Sequence, residues 1–303
     1  GLEAIITAAR LIQAKGGSCF LAGGVESVST APWRVERPKA NGMPPRFYGR
    51  ARFSPETIGD PEMGIAAENV ARQFGISRQR QDEFALRSHR LAVQAAEAGI
   101  FRPEIVEIPT SHGQIERDEC PRASTSLPAL ANLRPVFLAD GSVTAGNACP
   151  LNDGACLVLV MSRAMARSMG IEKGLAFIDS AAAGVDPNLL GIGPVASTRK
   201  LLQRQSGLSL SDIDAIEFNE AFAAQVLASL DQLDIPADTI NRNGGAIALG
   251  HPFGASGAIL VTRLYSQLIR DLSGWAPGAT GLAMIGIGGG IGLTAMFEAT
   301  QLS

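Results

Sequence analysis

The chain has 303 residues, of which 46% are hydrophobic and 18% are charged, so it can form a sizeable buried core and is not a disordered chain. Its formal net charge of −3 excludes the strongly basic surface that binding to nucleic acid or to an anionic membrane requires. Its four cysteines have no regular spacing, so we expect neither a disulfide framework nor a metal site, and we expect a cytoplasmic protein.

The first part of the chain predicts a helix, a short strand and a long irregular segment. Apolar residues at helical spacing predict a helix that ends near Lys15, before Gly16-Gly17. Because no capping residue precedes this helix, we expect its first turn to lie upstream of Gly1. Residues 18–22 are typical of a buried strand. Residues 27–61 hold six prolines and an arginine-rich, aromatic patch, which is compatible with phosphate binding but is more typical of a solvated loop or of a contact with another subunit.

The rest of the chain predicts an α/β layered fold interrupted by an insertion. Helices are predicted over residues 63–74 and 77–97, followed by a strand at 105–108 and an irregular stretch at 118–132. From residue 155 onward, strands and helices alternate, which indicates a buried sheet covered by helices. The predicted strands span 155–161, 175–183, 215–218, 281–287 and 291–297, and the helices 162–170, 195–205, 221–233 and 254–272. The apolar run 155–161 predicts a strand covered on both faces and is too short to span a bilayer.

Asn219 is the first candidate for a functional residue, because it lies at a predicted strand-to-helix corner. Ligands of α/β proteins usually bind at the carboxyl ends of strands. The amide of Asn219 can hold a water or a carbonyl oxygen, but the residue can equally be the N-cap of the following helix. The sequence leaves both interpretations open.

His251 is the second candidate, because glycines lie on both sides of it and allow a ligand to approach closely. An imidazole at this position can act as a general base or donate to an oxyanion, or it can simply cap the next helix. The other two histidines, His89 and His112, are predicted to face solvent.

Two further motifs carry less chemical information. The run Gly286-Ile287-Gly288-Gly289-Gly290-Ile291-Gly292 does not fit a dinucleotide-binding fingerprint, because the third glycine would fall on Ile291. A glycine hairpin whose N–H groups face a ligand fits it better. Cys149 has no activating base nearby in sequence, which favours a packing role over a nucleophilic one.

Taken together, these motifs resemble the thiolase family over essentially the whole chain. The motifs that carry the resemblance are Gly1-Leu2-Glu3-Ala4-Ile5, Ala22-Gly23-Gly24-Val25-Glu26-Ser27-Val28-Ser29, Met63-Gly64, Ala67-Glu68-Asn69-Val70, the segment from Thr144 to Ala155, Asn219-Glu220-Ala221-Phe222, the loop around His251 and the final triple glycine. The resemblance implies a five-layered α-β-α-β-α thiolase fold built from two similar halves. It divides the chain into the remainder of the N-terminal half (1–29), an inserted helical and loop domain (30–130), the end of that half (131–160) and the C-terminal half (161–303).

The resemblance also implies the roles of the candidate residues. In the family, a cysteine takes the acyl group from acyl-CoA, the histidine at His251 activates that cysteine, and the asparagine at Asn219 holds a water for an oxyanion hole. The N–H of Gly288 contributes to one such hole. Residues implied to contact substrate or coenzyme A are Met63, Ala148, Cys149, Ala221, Phe222 and Pro252.

The sequence departs from the family pattern at two catalytic positions. The nucleophilic cysteine would lie just upstream of Gly1, and the second, acid–base cysteine is replaced by Gly286. Cys149-Pro150 stands where the family has Ser-Gly. General acid–base groups contribute roughly 10²–10⁴-fold to rates, so thiolysis is expected to be impaired.

We therefore expect a thiolase-like acyltransferase acting on acyl-CoA or 3-ketoacyl-CoA thioesters in fatty acid metabolism, altered towards acyl transfer or decarboxylative condensation. The nucleophile would come from an upstream segment or a separate N-terminal thiolase fragment. The alternative is a non-catalytic thiolase-fold subunit retained for assembly or coenzyme A binding. No cofactor is expected beyond coenzyme A as part of the substrate, and the resemblance implies a homodimer or tetramer.

Overall fold

The structure, a computed structural model, describes residues 1–38, 40–111, 113–271 and 276–302. Its helices in these ranges are α1 (Leu2–Gln13), α2 (Met63–Gln73), α3 (Arg78–Glu97), α4 (Leu127–Ala131), α5 (Arg163–Ser168), α6 (Gly193–Leu202), α7 (Ala223–Leu233), α8 (Ala246–Leu249) and α9 (Phe253–Tyr265). Its strands are β1 (Cys19–Glu26), β2 (Arg34–Glu36), β3 (Arg46–Tyr48), β4 (Ile108–Thr110), β5 (Gly113–Ile115), β6 (Gly154–Met161), β7 (Lys173–Gly184), β8 (Ala215–Phe218), β9 (Thr280–Ile287) and β10 (Ile291–Gln301).

The larger sheet is buried on both faces, as the alternation of strands and helices predicts. Its strand order is β7-β10-β9-β8, with β8 parallel to β9 and the other pairs antiparallel. Because side chains alternate along a strand, Leu282 and Met284 pack into the core formed with α7, whereas Ala283 and Ile285 pack into the core formed with α1 and α9. The sheet thus separates two hydrophobic cores.

The smaller sheet pairs β1 with β6, and α1 and α9 lie between the two sheets. Cys156 and Val158 of β6 pack towards these helices. Leu157 and Leu159 of the same strand are 64% and 48% exposed. The prediction that this strand is covered on both faces is therefore wrong for the described residues, because they provide a packing partner on one face alone.

Residues 30–130, which are predicted to be an inserted region, share a hydrophobic core with the part of the chain predicted to be the C-terminal half. Val70 of α2 and Phe84 of α3 belong to the same buried cluster as Leu227 and Leu230 of α7. By contrast, the hairpins β2–β3 and β4–β5 are largely exposed. The helices α2 and α3 of this region consequently pack against the elements that follow β8.

Most predicted elements are present, with differences where tertiary contacts decide the structure. Residues 246–249, for which the sequence predicts neither a helix nor a strand, form the short helix α8. Part of the stretch predicted to be irregular forms α4, whose first turn is capped by Ser126. The predicted helix 254–272 is α9 followed by a π-helical turn, Ser266–Arg270, and residue 272 lies outside the described residues. Within those residues, none of the helices has both the length and the apolar character needed to cross a bilayer.

Candidate active site

The two candidate catalytic side chains meet at the C-terminal edge of the larger sheet. Asn219 directly follows β8, and its backbone N–H donates to the carbonyl oxygen of Met284 on the parallel strand β9 (2.9 Å). His251 directly precedes Pro252, the N-cap of α9. The side-chain Nδ2 of Asn219 lies 3.3 Å from the Nε2 of His251. A strand end and a helix start thus bring together two residues that are far apart in sequence.

The hydrogen bonds around His251 determine its tautomer. The hydroxyl of Ser256, one turn into α9, donates to the carbonyl oxygen of Pro252 (2.9 Å). Because the NH₂ group of Asn219 can only donate to Nε2, the proton of the neutral ring lies on Nδ1, and the Ser256 oxygen is the acceptor in the 2.6 Å contact with His251 Nδ1. Nδ1 then carries the proton, and Nε2 has a lone pair that accepts from the amide of Asn219.

His251 has the neutral charge state that a general base needs, and its lowered pKa also makes the imidazole a weaker base than a free histidine. Burial lowers the pKa of its imidazole to about 4, because the charged form loses hydration there. The imidazole is consequently neutral at neutral pH. With the proton held on Nδ1, Nε2 can take a proton from a thiol placed beside it.

The backbone of the histidine loop is fixed by the segment that precedes β6. The N–H of His251 donates to Asn152 Oδ1 (2.8 Å). Gly250 has a φ of +100°, and a Cβ at this position would lie 2.5–2.6 Å from the Asn152 side chain, so the position requires glycine. Pro252 packs directly on Gly154. Hydrogen bonds to Asn152 and Ser256 therefore fix both the backbone and the imidazole ring of His251.

Asn219 is not the N-cap of the following helix, so the capping interpretation is wrong. α7 begins at Ala223, and its N-cap residue is Phe222. Gln225 stabilises this helix start instead: its Oε1 accepts from the Phe222 N–H (3.2 Å), and its Nε2 donates to the Asn219 carbonyl oxygen (3.4 Å). The side chain of Asn219 is thereby left to face His251.

Four of the predicted substrate-contacting residues lie in one apolar cluster. Met63, Ala148, Ala221 and Phe222 pack around the buried Val143 and Leu190 among others. Ala148 and Phe222 also form an isolated antiparallel bridge. The cluster connects the N-terminus of α2 to the residues after Asn219.

Cys149 lies beside this cluster but is poorly suited to nucleophilic attack. Its N–H donates to the Ala221 carbonyl oxygen (3.0 Å). Burial raises the pKa of its thiol to about 12, whereas a nucleophilic cysteine needs a lowered pKa. The environment agrees with the packing role that the sequence favours.

The glycines at the end of β9 are packed against other parts of the chain. A Cβ at Gly286 would lie 2.7 Å from the Cα of Gly191, so the backbone of Gly191 occupies that space. A Cβ at Gly288 would lie 2.5 Å from the ring of Phe53. Phe53 belongs to the inserted region, and Arg50 lies over its ring at 4.6 Å. The inserted region therefore covers the glycine hairpin.

The prediction that His89 faces solvent is wrong. His89 is buried in α3, and its Nδ1 accepts from the Arg122 N–H (3.2 Å). Burial lowers the pKa of this imidazole to about 4. The many polar residues of α3 favour the prediction of an exposed helix, but several of them face the core, so the sequence does not reveal that His89 is buried. His112 lies outside the described residues.

Sequence reasoning missed the residues that support the two candidates. They are Phe53, Asn152, Glu220, Gln225, Asn241 and Ser256. The signal that could have found some of them is the presence of polar residues in otherwise apolar segments, as at Gln225 in α7 and Ser256 in α9. Such residues need a hydrogen-bond partner when they are buried.

Comparisons with known proteins match this architecture along the chain. The family model described as "Thiolase, N-terminal domain" matches residues 1–164, and the model described as "Thiolase, C-terminal domain" matches residues 173–299. A protein of Staphylococcus haemolyticus named "Putative acetyl-CoA C-acetyltransferase VraB" is 47% identical over 300 residues, which are 98% of this chain and 76% of that protein. The Staphylococcus aureus MRSA252 protein of the same name is 44% identical over 299 residues, with the same two coverages.

A solved structure has the same fold. The crystal structure of the Bacillus anthracis acetyl-CoA acetyltransferase superposes on this chain with a TM-score of 0.86 and 39% sequence identity. The match covers 99% of this chain and 76% of that one.

Proposed function

Because the chain belongs to the thiolase family, we propose that it takes part in acyl transfer from acyl-CoA thioesters, with His251 as the general base and Asn219 as an oxyanion-stabilising amide. The family models and the solved structure confirm the α/β thiolase fold that the motifs imply. The single observation that carries the functional proposal is the 3.3 Å distance between Asn219 Nδ2 and His251 Nε2. The names of the relatives favour acetyl-CoA as the acyl donor.

The proposed step is a transthioesterification. A cysteine thiol gives its proton to His251 Nε2, and its sulfur attacks the carbonyl carbon of the acyl-CoA. The carbonyl oxygen becomes an oxyanion, which accepts from the Asn219 amide or from a water held by it, with the Gly288 N–H as a further donor. The C–S bond to coenzyme A then breaks, and the proton on Nε2 passes to the departing thiolate.

The nucleophile in this proposal is a cysteine outside these 303 residues. The proposal assigns it to an upstream segment, as the resemblance to the family implies, or to a separate N-terminal thiolase fragment. The described cysteines give no better candidate, because His251 makes its side-chain hydrogen bonds to Asn219 and Ser256, and burial raises the pKa of the Cys149 thiol.

The replacement at Gly286 limits the second half of the reaction. Thiolysis and non-decarboxylative condensation both require a proton exchange at the substrate Cα, and glycine has no group for it. The backbone of Gly191 also fills the space where a side chain would start. We therefore propose acyl transfer or decarboxylative condensation, in which loss of CO₂ supplies the carbanion. The same observation favours the alternative, a non-catalytic subunit that binds coenzyme A or serves assembly.

The remaining expectations are part of this proposal. Coenzyme A is bound as part of the substrate and no other cofactor is needed. The chain assembles as a homodimer or tetramer, in a pathway of fatty acid metabolism. The limits of the two halves and of the inserted domain stay predictions.

The experiment that tests the proposal is acyl-enzyme formation in the natural protein, with whatever segment or partner accompanies this chain. The protein is incubated with acetyl-CoA and the covalent acyl group is detected by intact-mass analysis. We expect one acyl group per active site, and its loss in a His251→Ala variant. Addition of malonyl-CoA or of a second acetyl-CoA then separates decarboxylative from ordinary condensation. Absence of any acyl-enzyme in the unmodified protein would contradict the proposed transfer from acetyl-CoA and favour the non-catalytic alternative.

A further inference from the structure

Glu220, the residue after Asn219, is a fully buried carboxylate at the centre of a hydrogen-bond network. One carboxylate oxygen accepts from Asn241 Nδ2 (2.7 Å). The other accepts from the Ser88 hydroxyl (2.7 Å) and from the Ile247 backbone N–H (3.1 Å). All three partners donate, so the network fits an ionised carboxylate that only accepts, and these hydrogen bonds oppose the burial that raises the pKa of the Glu220 carboxyl.

These donors come from three separate elements of the fold. Ser88 lies on α3 of the inserted region, and Ile247 lies in α8, which leads into Gly250 and His251. Asn241 also holds the end of β8: its Oδ1 accepts from the Phe218 N–H and its Nδ2 donates to the Phe218 carbonyl oxygen, both at 2.8 Å. The strand end that carries Asn219 and the helix that leads to His251 are therefore attached to the same carboxylate.

The glycine loop before α8 packs closely against Glu220. A Cβ at Gly245 would lie 2.2 Å from Glu220 Cδ. Gly244 has a φ of +80°, and a Cβ there would lie 2.6 Å from the Ser88 carbonyl oxygen. Ser88 Oγ also accepts from the Gly245 N–H (3.1 Å). The loop before α8 thus packs closely against both Glu220 and α3.

Glu217 shows that burial alone does not create such a network. It is also a buried glutamate, and it lies on the same strand β8. Its carboxylate accepts from Gln267. Among the described residues it makes no hydrogen bond to Ser88, Asn241 or Ile247, so its carboxylate lies outside the network that joins the end of β8 to α8. Glu217 therefore serves as a natural control for Glu220.

We propose that Glu220 is a positioning residue that sets the distance between Asn219 and His251, and that Ser88 extends this control to α3 of the inserted region. Glu220 acts through the ends of β8 and α8 and does not itself touch the imidazole. Its effect on the reaction rests on the proposed function, whereas its effect on the geometry does not.

The first test uses nuclear magnetic resonance of the histidine side chains, which needs no catalytic activity. The chain has three histidines, so their imidazole ¹⁵N signals can be assigned with His→Gln variants. In the unmodified chain we expect His251 as the Nδ1–H tautomer with a hydrogen-bonded Nε2. In Glu220→Gln the NH₂ group of the new amide faces groups that also donate, so part of the hydrogen-bond network is lost. We then expect the ¹⁵N signal of His251 Nε2 to move to the position of a nitrogen without a hydrogen bond. In the control Glu217→Gln the His251 signals stay in place.

Ser88→Ala removes only one of the hydrogen bonds to Glu220, so it tests the positioning role if Glu220→Gln does not fold. We expect a smaller displacement of the His251 Nε2 signal in the same direction. Unchanged His251 signals in the folded Glu220→Gln protein, or in Ser88→Ala, would overturn the positioning role.

The second test measures acyl transfer in the natural protein. We expect Glu220→Gln to lower turnover by up to about a hundredfold with a much smaller change in KM, as for a displaced catalytic group, and Glu217→Gln to keep turnover near that of the unmodified protein. If the unmodified protein forms no acyl-enzyme, the proposed function fails, and the histidine spectra still decide whether Glu220 positions the pair. Equal turnover in both variants would contradict the positioning role.

Discussion

The side-chain amide of Asn219 and the imidazole of His251 lie 3.3 Å apart although 32 positions separate them in the chain. The contact joins the end of a buried strand to the start of a long helix. Because Nδ1 of His251 donates to Ser256, the nitrogen that faces Asn219 is the basic one. The geometry combines a hydrogen-bond donor and a proton acceptor at one point, which is the combination that attack of a thiol on a thioester requires.

Replacement of the amide is the most direct test of this pair. We expect Asn219→Ala to slow acyl-enzyme formation by roughly 10²–10³-fold, because one preorganised donor to the oxyanion is lost. Binding of acyl-CoA should change much less. Single-turnover mass analysis of the acyl-enzyme measures the effect, and Asn132→Ala, at an exposed helix end, is the matched control. A normal rate in Asn219→Ala would remove this residue from the proposed mechanism.

Ser256 should determine which nitrogen of His251 carries the proton. In Ser256→Ala the Nδ1–H loses its buried acceptor, so we expect a free energy of unfolding lower by about 1–3 kcal/mol and a mixture of tautomers in the imidazole spectrum. Ser266→Ala is the control, since that buried serine lies at the far end of the same helical segment. If Ser256→Ala keeps a single Nδ1–H tautomer, the hydrogen bond does not have the role described.

His89 should make the stability of the protein depend on pH. Burial lowers its pKa from 6.5 to about 4, so between these values the unfolded state binds more protons than the folded state. The folded state is therefore favoured above pH 6.5, and stability is lost as the pH falls towards 4. We expect His89→Gln to reduce this loss by up to about 3 kcal/mol, measured by urea unfolding at a series of pH values.

The pH profile of His89→Gln must be compared with that of the unmodified protein, because other buried groups change the stability in the opposite direction. Burial raises the pKa of Glu217 to about 7, so its contribution to stability falls as the pH rises from 4.5 to 7. Burial also lowers the pKa of His251 to about 4, so His251, like His89, reduces the stability of the folded state as the pH falls. Identical pH profiles for His89→Gln and the unmodified protein would contradict the prediction.

Gly286 should not accept a side chain without a rearrangement. In Gly286→Cys the new Cβ would lie 2.7 Å from Gly191 Cα, so we expect a loss of about 1–3 kcal/mol in the free energy of unfolding. Gly184→Ala on β7 is the control, because its Cβ would meet the Gly290 carbonyl oxygen at 4.0 Å, an ordinary contact. Thermal unfolding of the two variants measures the difference. A Gly286→Cys protein as stable as the Gly184→Ala protein would show that the backbone of Gly191 moves freely.

The sequence by itself determined the fold class and the two central candidates. Strand and helix periods are local, so the alternation after residue 155 could be read directly. Asn219 and His251 stand out because each lies at a corner between elements, where side chains can reach a ligand. The motifs also placed Gly286 and Gly288 in the final glycine hairpin, which is formed by the turn between β9 and β10.

Only the tertiary structure decided how these residues are held. Ser88 and Glu220 are 132 positions apart, and Phe53 reaches Gly288 from the inserted region. The burial of His89 and the exposed face of β6 likewise depend on what packs against them, not on their own pattern of residues. The physical reason is that periodicity reports which face of an element is apolar, whereas hydrogen bonds between distant elements depend on where each side chain ends after packing. The positions of Asn219 and His251 could therefore be predicted as candidates, but their separation of 3.3 Å could not.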